Sequence, residues 1–185
     1  PVRLAGAQGY TVRAWGDNSA GQCDVPLYLT NAIGIAGGVE HSLALKVDGT
    51  VVGWGGNGSN QITVPLSATN VTRIAAGYYH SLALRADGRV IAWGSDAFGQ
   101  ITVPPSATNV IRIAAGPHTS FALRADGSVV AWGQNQYGQT NVPSTLTNLV
   151  SIACGYHGLG LHTDRTVEGW GANFWGQANG ANAGT

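Results

Sequence analysis

One fifteen-residue stretch recurs along the chain and restricts it to a repetitive fold. His80–Gly94 reads HSLALRADGRVIAWG, His41–Gly55 reads HSLALKVDGTVVGWG and Thr119–Gly133 reads TSFALRADGSVVAWG. A weaker copy, His157–Gly171, reads HGLGLHTDRTVEGWG, with Arg165 where the others have a turn glycine. Each copy is two apolar runs around a central turn pair, and in the three regular copies that pair is Asp-Gly. This pattern signals a β-hairpin with a two-residue primed turn, whose positive φ angles Asp and Gly tolerate. A degraded copy occupies residues 1–16. The matching tryptophans are Trp15, Trp54, Trp93, Trp132 and Trp170, spaced by 39, 39, 39 and 38 residues. A fixed period of this length means stacked supersecondary units.

The unit around His80 shows the rest of the pattern. Asn70–Gly77 (NVTRIAAG) is a short β-prone run, followed by Tyr78-Tyr79 and the hairpin. Ser95–Gly99 forms a second loop, and Gln100–Val103 (QITV) is another β-prone run stopped by Pro104-Pro105. Four short strands per unit, with no room for a helix, describe a propeller blade. The expected fold is therefore all-β, a β-propeller of about five four-stranded blades over residues 1–177, with a small polar tail at 178–185. Each blade is apolar on both faces because neighbours sandwich it. Five tryptophan hairpins accompany only four copies of the preceding strand: Asn31–Gly37, Asn70–Gly77, Asn109–Gly116 and Asn148–Gly155. Five blades could close a ring using strands from both ends, or the chain could be an arc of a larger propeller. Periodicity is compatible with both.

Only 10% of residues are charged, and nine basic residues balance nine acidic ones. That argues against an electrostatic grip on nucleic acid or an anionic membrane, and no apolar run approaches the ~20 residues of a spanning helix. Cys23 and Cys154 sit at different repeat positions and read as buried free thiols. His41, His80 and His157 share one repeat position. Imidazoles on separate blades do not converge to ~2.1 Å from one ion, so they are expected to bond backbone at a strand start, with no metal and no cofactor. Ser42 and Ser81 follow histidines directly, but strand neighbours face opposite ways, which spoils a nucleophile–base pair. The expectation is a non-enzyme.

Alternating strand direction places the loops before and after each hairpin at one end of the fold. Seven aromatic residues fall in them: Tyr78, Tyr79, Phe98, Tyr137, Tyr156, Phe174 and Trp175. The fixed charges there are Asp17, Glu40 and Asp96. Tyrosine and tryptophan dominate protein-interface hot spots, so these residues form the candidate partner-binding face. A carbohydrate or cell-surface module is the alternative, since exposed rings also stack on sugars. A self-associating structural subunit is another. The opposite end mixes Lys46, Arg73, Arg85, Arg89, Arg112, Arg124 and Arg165 with turn aspartates and reads as a solvated, ion-paired face.

The motif AAGYYHSLALRADGRVIAWG with the following G-x-x-x-x-G-Q resembles the regulator of chromosome condensation repeat family over residues 4–177. The resemblance implies a β-propeller, usually seven-bladed. The short period and the recurring Q-x-T-V-P make the chain more similar to bacterial members, among them the propeller-type β-lactamase inhibitory proteins, which bind their enzyme through loops on one face. A protein partner, and by analogy a β-lactamase-like enzyme, is what this implies. Low lysine, abundant Asn and Thr and the bacterial-like repeat set the expectation of a secreted or cell-surface protein.

Overall fold

The computed structural model describes residues 12–179. It contains twelve strands and, among the described residues, no helix. They form four three-stranded antiparallel sheets, each a meander of consecutive strands: β1 (Ala32–Gly37), β2 (His41–Lys46) and β3 (Val51–Gly55); β4 (Val71–Ala76), β5 (His80–Arg85) and β6 (Val90–Gly94); β7 (Val110–Ala115), β8 (Thr119–Arg124) and β9 (Val129–Gly133); β10 (Leu149–Cys154), β11 (His157–His162) and β12 (Val167–Gly171). Successive sheets stack, with β4 against β1 and β2, β7 against β4 and β5, and β10 against β7 and β8. This is propeller-type packing.

The core lies between sheets, as the two-faced apolar strands require. Leu43 and Leu45 of the first sheet meet Val71, Ala83 and Trp93 of the second. Leu82 and Leu84 of the second meet Val110, Ala122 and Trp132 of the third. Phe121 and Leu123 of the third meet Leu149 and Trp170 of the fourth, with Phe121 stacked on Trp170 at 5.3 Å. Trp54 packs instead against Val12, Val25 and Leu29.

Three expectations need correction. The first concerns the fourth strand: among the described residues each sheet has three. The Gln61–Val64 run has no free backbone donors for a ladder. The Ile62 N–H goes to Asn57 Oδ1, Thr63 to the Asn60 carbonyl and Val64 to the Ile62 carbonyl. The Gln61 carbonyl is taken by the next sheet.

The second correction concerns the hairpin turn. In the first hairpin Lys46 N–H meets the Thr50 carbonyl at 2.9 Å and Gly49 N–H meets the Lys46 carbonyl at 3.0 Å. This is a three-residue loop in which Gly49 (φ 76°), not Asp48, takes the left-handed conformation. Asp48 instead accepts from the Thr50 N–H and hydroxyl. Arg165 holds the glycine position of the fourth hairpin at φ 75°.

The third concerns Trp15, which shares the repeat spacing but lies outside any sheet and is 86% exposed. Most of the first expected hairpin, residues 1–11, lies outside the described residues, as does most of the polar tail.

Candidate functional site

The loops after the tryptophans are built by one device used five times. The Gln22, Gln61, Gln100, Gln139 and Gln177 side-chain oxygens accept the N–H of Ala20, Ser59, Phe98, Tyr137 and Trp175 at 2.7–2.9 Å. The Asn18, Asn57, Asp96, Asn135 and Asn173 Oδ1 atoms accept the N–H five residues on. A side-chain amide or carboxylate thus replaces the backbone partners of an irregular loop. Asp96 and Asp17, expected as charges open to a partner, are consumed here. Asp96 also takes the Thr102 hydroxyl, and Asp17 those of Ser19 and the Gln22 amide. The residue before the motif glycine, Phe98, Tyr137 or Trp175, is left to project from the loop.

The structure gathers the seven aromatic residues into two neighbouring groups. Tyr78 is central to the first. It meets Tyr79 at 6.4 Å, Tyr156 at 6.4 Å and the His118 ring at 5.7 Å, all edge to face. Phe98 joins through His118 at 4.7 Å. Tyr137 and Phe174 form the second group at 5.1 Å. Edge-to-face pairs of this kind add ~0.5–1.5 kcal/mol beyond area burial, so the rings are held rather than splayed.

Tyr156 belongs to both groups, because it lines two clefts. One, about 400 Å³, lies where the ends of the first strands converge and is walled by Val39, Tyr78, Pro117 and Cys154. The other, about 520 Å³, is walled by Tyr137, Phe174, Trp175 and His157. The Tyr78 hydroxyl beside it holds the Tyr156 phenol above its ordinary range. His118 is a member of this face that the aromatic count passed over, since only the fold shows it lying between Tyr78 and Phe98.

The repeated histidines are structural, but their partner is a side chain and not the expected backbone. His41 Nε2 lies 3.0 Å from Ser81 Oγ, and His80 Nε2 lies 3.0 Å from Ser120 Oγ, each in the next sheet. Those serine hydroxyls donate onward to the Gln61 and Gln100 carbonyls at 2.7 and 2.8 Å. The same carbonyls receive the Trp93 and Trp132 indole N–H. With its proton committed, each serine can only accept, so the histidine carries its proton on Nε2. Histidine–serine pairs thus exist between units, but both members are fully buried and the serine proton points at a carbonyl. They are unsuited to nucleophilic chemistry.

His41 and His80 Nδ1 atoms have no partner, and burial pushes both rings down to about 4. The His80 ring lies directly over Gly77. A Cβ there would collide with it and with the Gly116 carbonyl, 2.5 Å away, so this approach needs glycine.

The third-to-fourth interface departs from the rule. Thr119 stands at the histidine position and Gly158 at the serine position, and Thr119 Oγ1 lies 3.2 Å from Cys154 Sγ. Burial pushes the Cys154 thiol up to about 12. Cys23 and Cys154 are both free and half-buried. Among the described residues no group of three or more His, Cys, Asp or Glu side chains converges as metal ligands would.

The opposite end is ion-paired locally. Lys46 meets Asp48 at 2.9 Å, Arg85 meets Asp87 at 3.2 Å and Arg124 meets Asp126 at 3.2 Å. Arg73 and Arg112 donate across to the Ile111 and Val150 carbonyls of the following sheet. These cations are committed to the fold.

Fold and loop face together define a β-propeller repeat module with an aromatic surface at one end. The chain belongs to the regulator of chromosome condensation (RCC1) repeat family, whose model matches residues 32–61, 71–100 and 110–139. A search of curated protein sequences finds no match.

Among solved structures, the chain is similar to yeast RCC1 (Prp20) bound to Kap60, at 24% identity and TM-score 0.65, covering 77% of this chain and 44% of that one. It is also similar to Prp20p of Saccharomyces cerevisiae, described with its binding properties to Gsp1p and histones, at 22% identity and TM-score 0.64, covering 76% and 45%. A third is the ectodomain of the Physcomitrella patens receptor kinase CR4, at 25% identity and TM-score 0.61, covering 76% and 38%. The chain thus spans less than half the length of these proteins.

Proposed function

We propose that this chain is a non-catalytic binding module that recognises a protein through the loop end of its propeller units. The observation that carries this reading is the convergence of Tyr78, Tyr79, His118 and Tyr156 over the cleft where the first strands meet. These rings come from three successive units, so the stacked sheets bring them together on a rigid frame. A preorganised aromatic surface loses little side-chain entropy on binding, which suits it to act as a hot spot. That yeast Prp20p is described as binding Gsp1p and histones fits the use of this fold for protein recognition. The face lacks lysine and arginine, and Asp17 and Asp96 are engaged within it, so recognition rests on shape and apolar contact.

The test is a capture experiment with three forms of the chain, read by quantitative mass spectrometry. The double variant Tyr78→Ser/Tyr156→Ser should lose specific protein partners by tenfold or more. Arg89→Ser, at the opposite end, should retain them. Equal capture by both variants would remove the loop face from recognition. Binding restricted to a glycan array would move the module to the carbohydrate class.

A further inference from the structure

The interface between neighbouring units recurs four times, and at the two edges of the described array its two halves stand apart. One half is a glutamine loop offering its backbone carbonyl. The other is a tryptophan that donates to it: Trp54 to Gln22, Trp93 to Gln61, Trp132 to Gln100 and Trp170 to Gln139, all at 2.8–2.9 Å.

At the last edge the Gln177 loop is complete, with its side chain accepting the Trp175 N–H at 2.7 Å and Asn173 accepting the Ala178 N–H at 2.9 Å. Among the described residues no tryptophan donates to the Gln177 carbonyl. Gln177 is half-buried where Gln61, Gln100 and Gln139 are fully buried. Trp175 shows the same lack. The next unit covers its counterparts, placing His118 on Phe98 and Phe174 on Tyr137, while Trp175 is 91% exposed.

At the first edge stands the complementary half. Trp15 keeps the repeat spacing ahead of Trp54 and precedes a complete Gln22 loop, yet it touches no glutamine carbonyl and lines an open cleft of about 490 Å³ with Ile35 and Val39. Ile35 is 69% exposed, while its counterparts Ile74, Ile113 and Ile152 are half-buried against neighbouring units.

We propose that these edges join two copies of the chain head to tail, with Trp15 of a second copy donating its indole N–H to the Gln177 carbonyl and covering Trp175. The occupant is argued from continuity: the interface already present four times within the chain specifies what fits the Gln177 edge, and Trp15 is the unused member of the series. Both edges expose apolar rings and aliphatics that such a contact would cover. Because the edges differ, the contact is heterologous, and it ends in a closed ring or extends as a filament according to the rotation between copies.

The experiment is sedimentation of the chain over a wide concentration range, with two edge variants. The wild type should show dimers or larger species in reversible exchange with monomer. Trp15→Ala and Trp175→Arg change exposed residues, so near-ultraviolet circular dichroism should match wild type. Each should weaken association at least about tenfold, as losing an interface tryptophan does. Mixing the two variants should restore pairing, and only as far as a heterodimer, since one contributes an intact Trp15 and the other an intact Gln177 edge. A wild-type chain that stays monomeric overturns the proposal, including one whose Trp15 is shielded from a soluble quencher by closure within one chain. So does association that neither variant weakens, or that mixing fails to restore.

Discussion

Lowering the pH from 7 to 5 should loosen the contacts between units, and His80 is the place to measure it. Its ring is fully buried, donates through Nε2 to Ser120 and leaves Nδ1 without a partner. Protonation would place a second donor and a charge in that pocket with nothing to receive them. Burial, with smaller repulsions from His41 and His118, therefore holds the folded-state value at about 4, against 6.5 in the unfolded chain. The unfolded state binds the extra proton first, so stability is full above pH 6.5 and is lost as pH falls towards 4. For that pair of values linkage gives a loss of about 2 kcal/mol by pH 5 and about 3 kcal/mol by pH 4. His41 sits in the equivalent pocket, is also held at about 4 and should add a similar loss. The turn aspartates Asp48, Asp126 and Asp164 are held below their usual range, chiefly by the hydroxyls of Thr50, Ser128 and Thr166. Their contribution is present above about pH 4 and lost below it, so it does not overlap the histidine window. The assay is urea denaturation at several pH values, comparing wild type with His80→Thr, the residue already used at position 119. The variant should be less stable at pH 7 but lose less between pH 7 and 5. A wild-type midpoint that does not move across that interval, or an identical slope in the variant, would refute the reasoning.

Two further outcomes follow from single positions. Arg165 holds a left-handed conformation that costs a non-glycine residue ~1–2 kcal/mol. Arg165→Gly should raise the thermal midpoint, although the added freedom of the unfolded chain offsets part of the gain; an unchanged or lower midpoint counts against strain at this turn. Cys154, with its thiol pushed up to about 12 and set against Thr119, should react with an aromatic disulfide reagent far more slowly than Cys23 in the native state. Equal rates would contradict the packing at that interface.

Much of the fold was legible because a repeat reports the same environment several times. The Asp-Gly hairpins and the buried tryptophans are local patterns whose meaning does not depend on distant residues. The QITV run was misread because its β propensity is also local, whereas its backbone groups are claimed by Asn57, Asn60 and the next sheet. The Asp-Gly turn was misassigned by one residue for a related reason: composition marks a turn, but hydrogen-bond closure at Lys46 and Thr50 sets its length. The seven aromatic residues were placed at one end by strand direction. Which of them touch, and that His118 lies among them, depends on how far each sheet is rotated from the last.

Sequence by itself therefore determined the unit: its period, its hairpin, its two-sided apolar strands and the end from which each loop emerges. These follow from residue order and strand alternation. Only the tertiary structure decided the bonds that join units, His80 to Ser120 and Ser120 to Gln100, because their members lie 20 to 40 residues apart. It also decided that Trp15, alike in spacing to four buried tryptophans, is exposed. A tryptophan is buried by what stands opposite it, and its own sequence neighbours do not supply that surface.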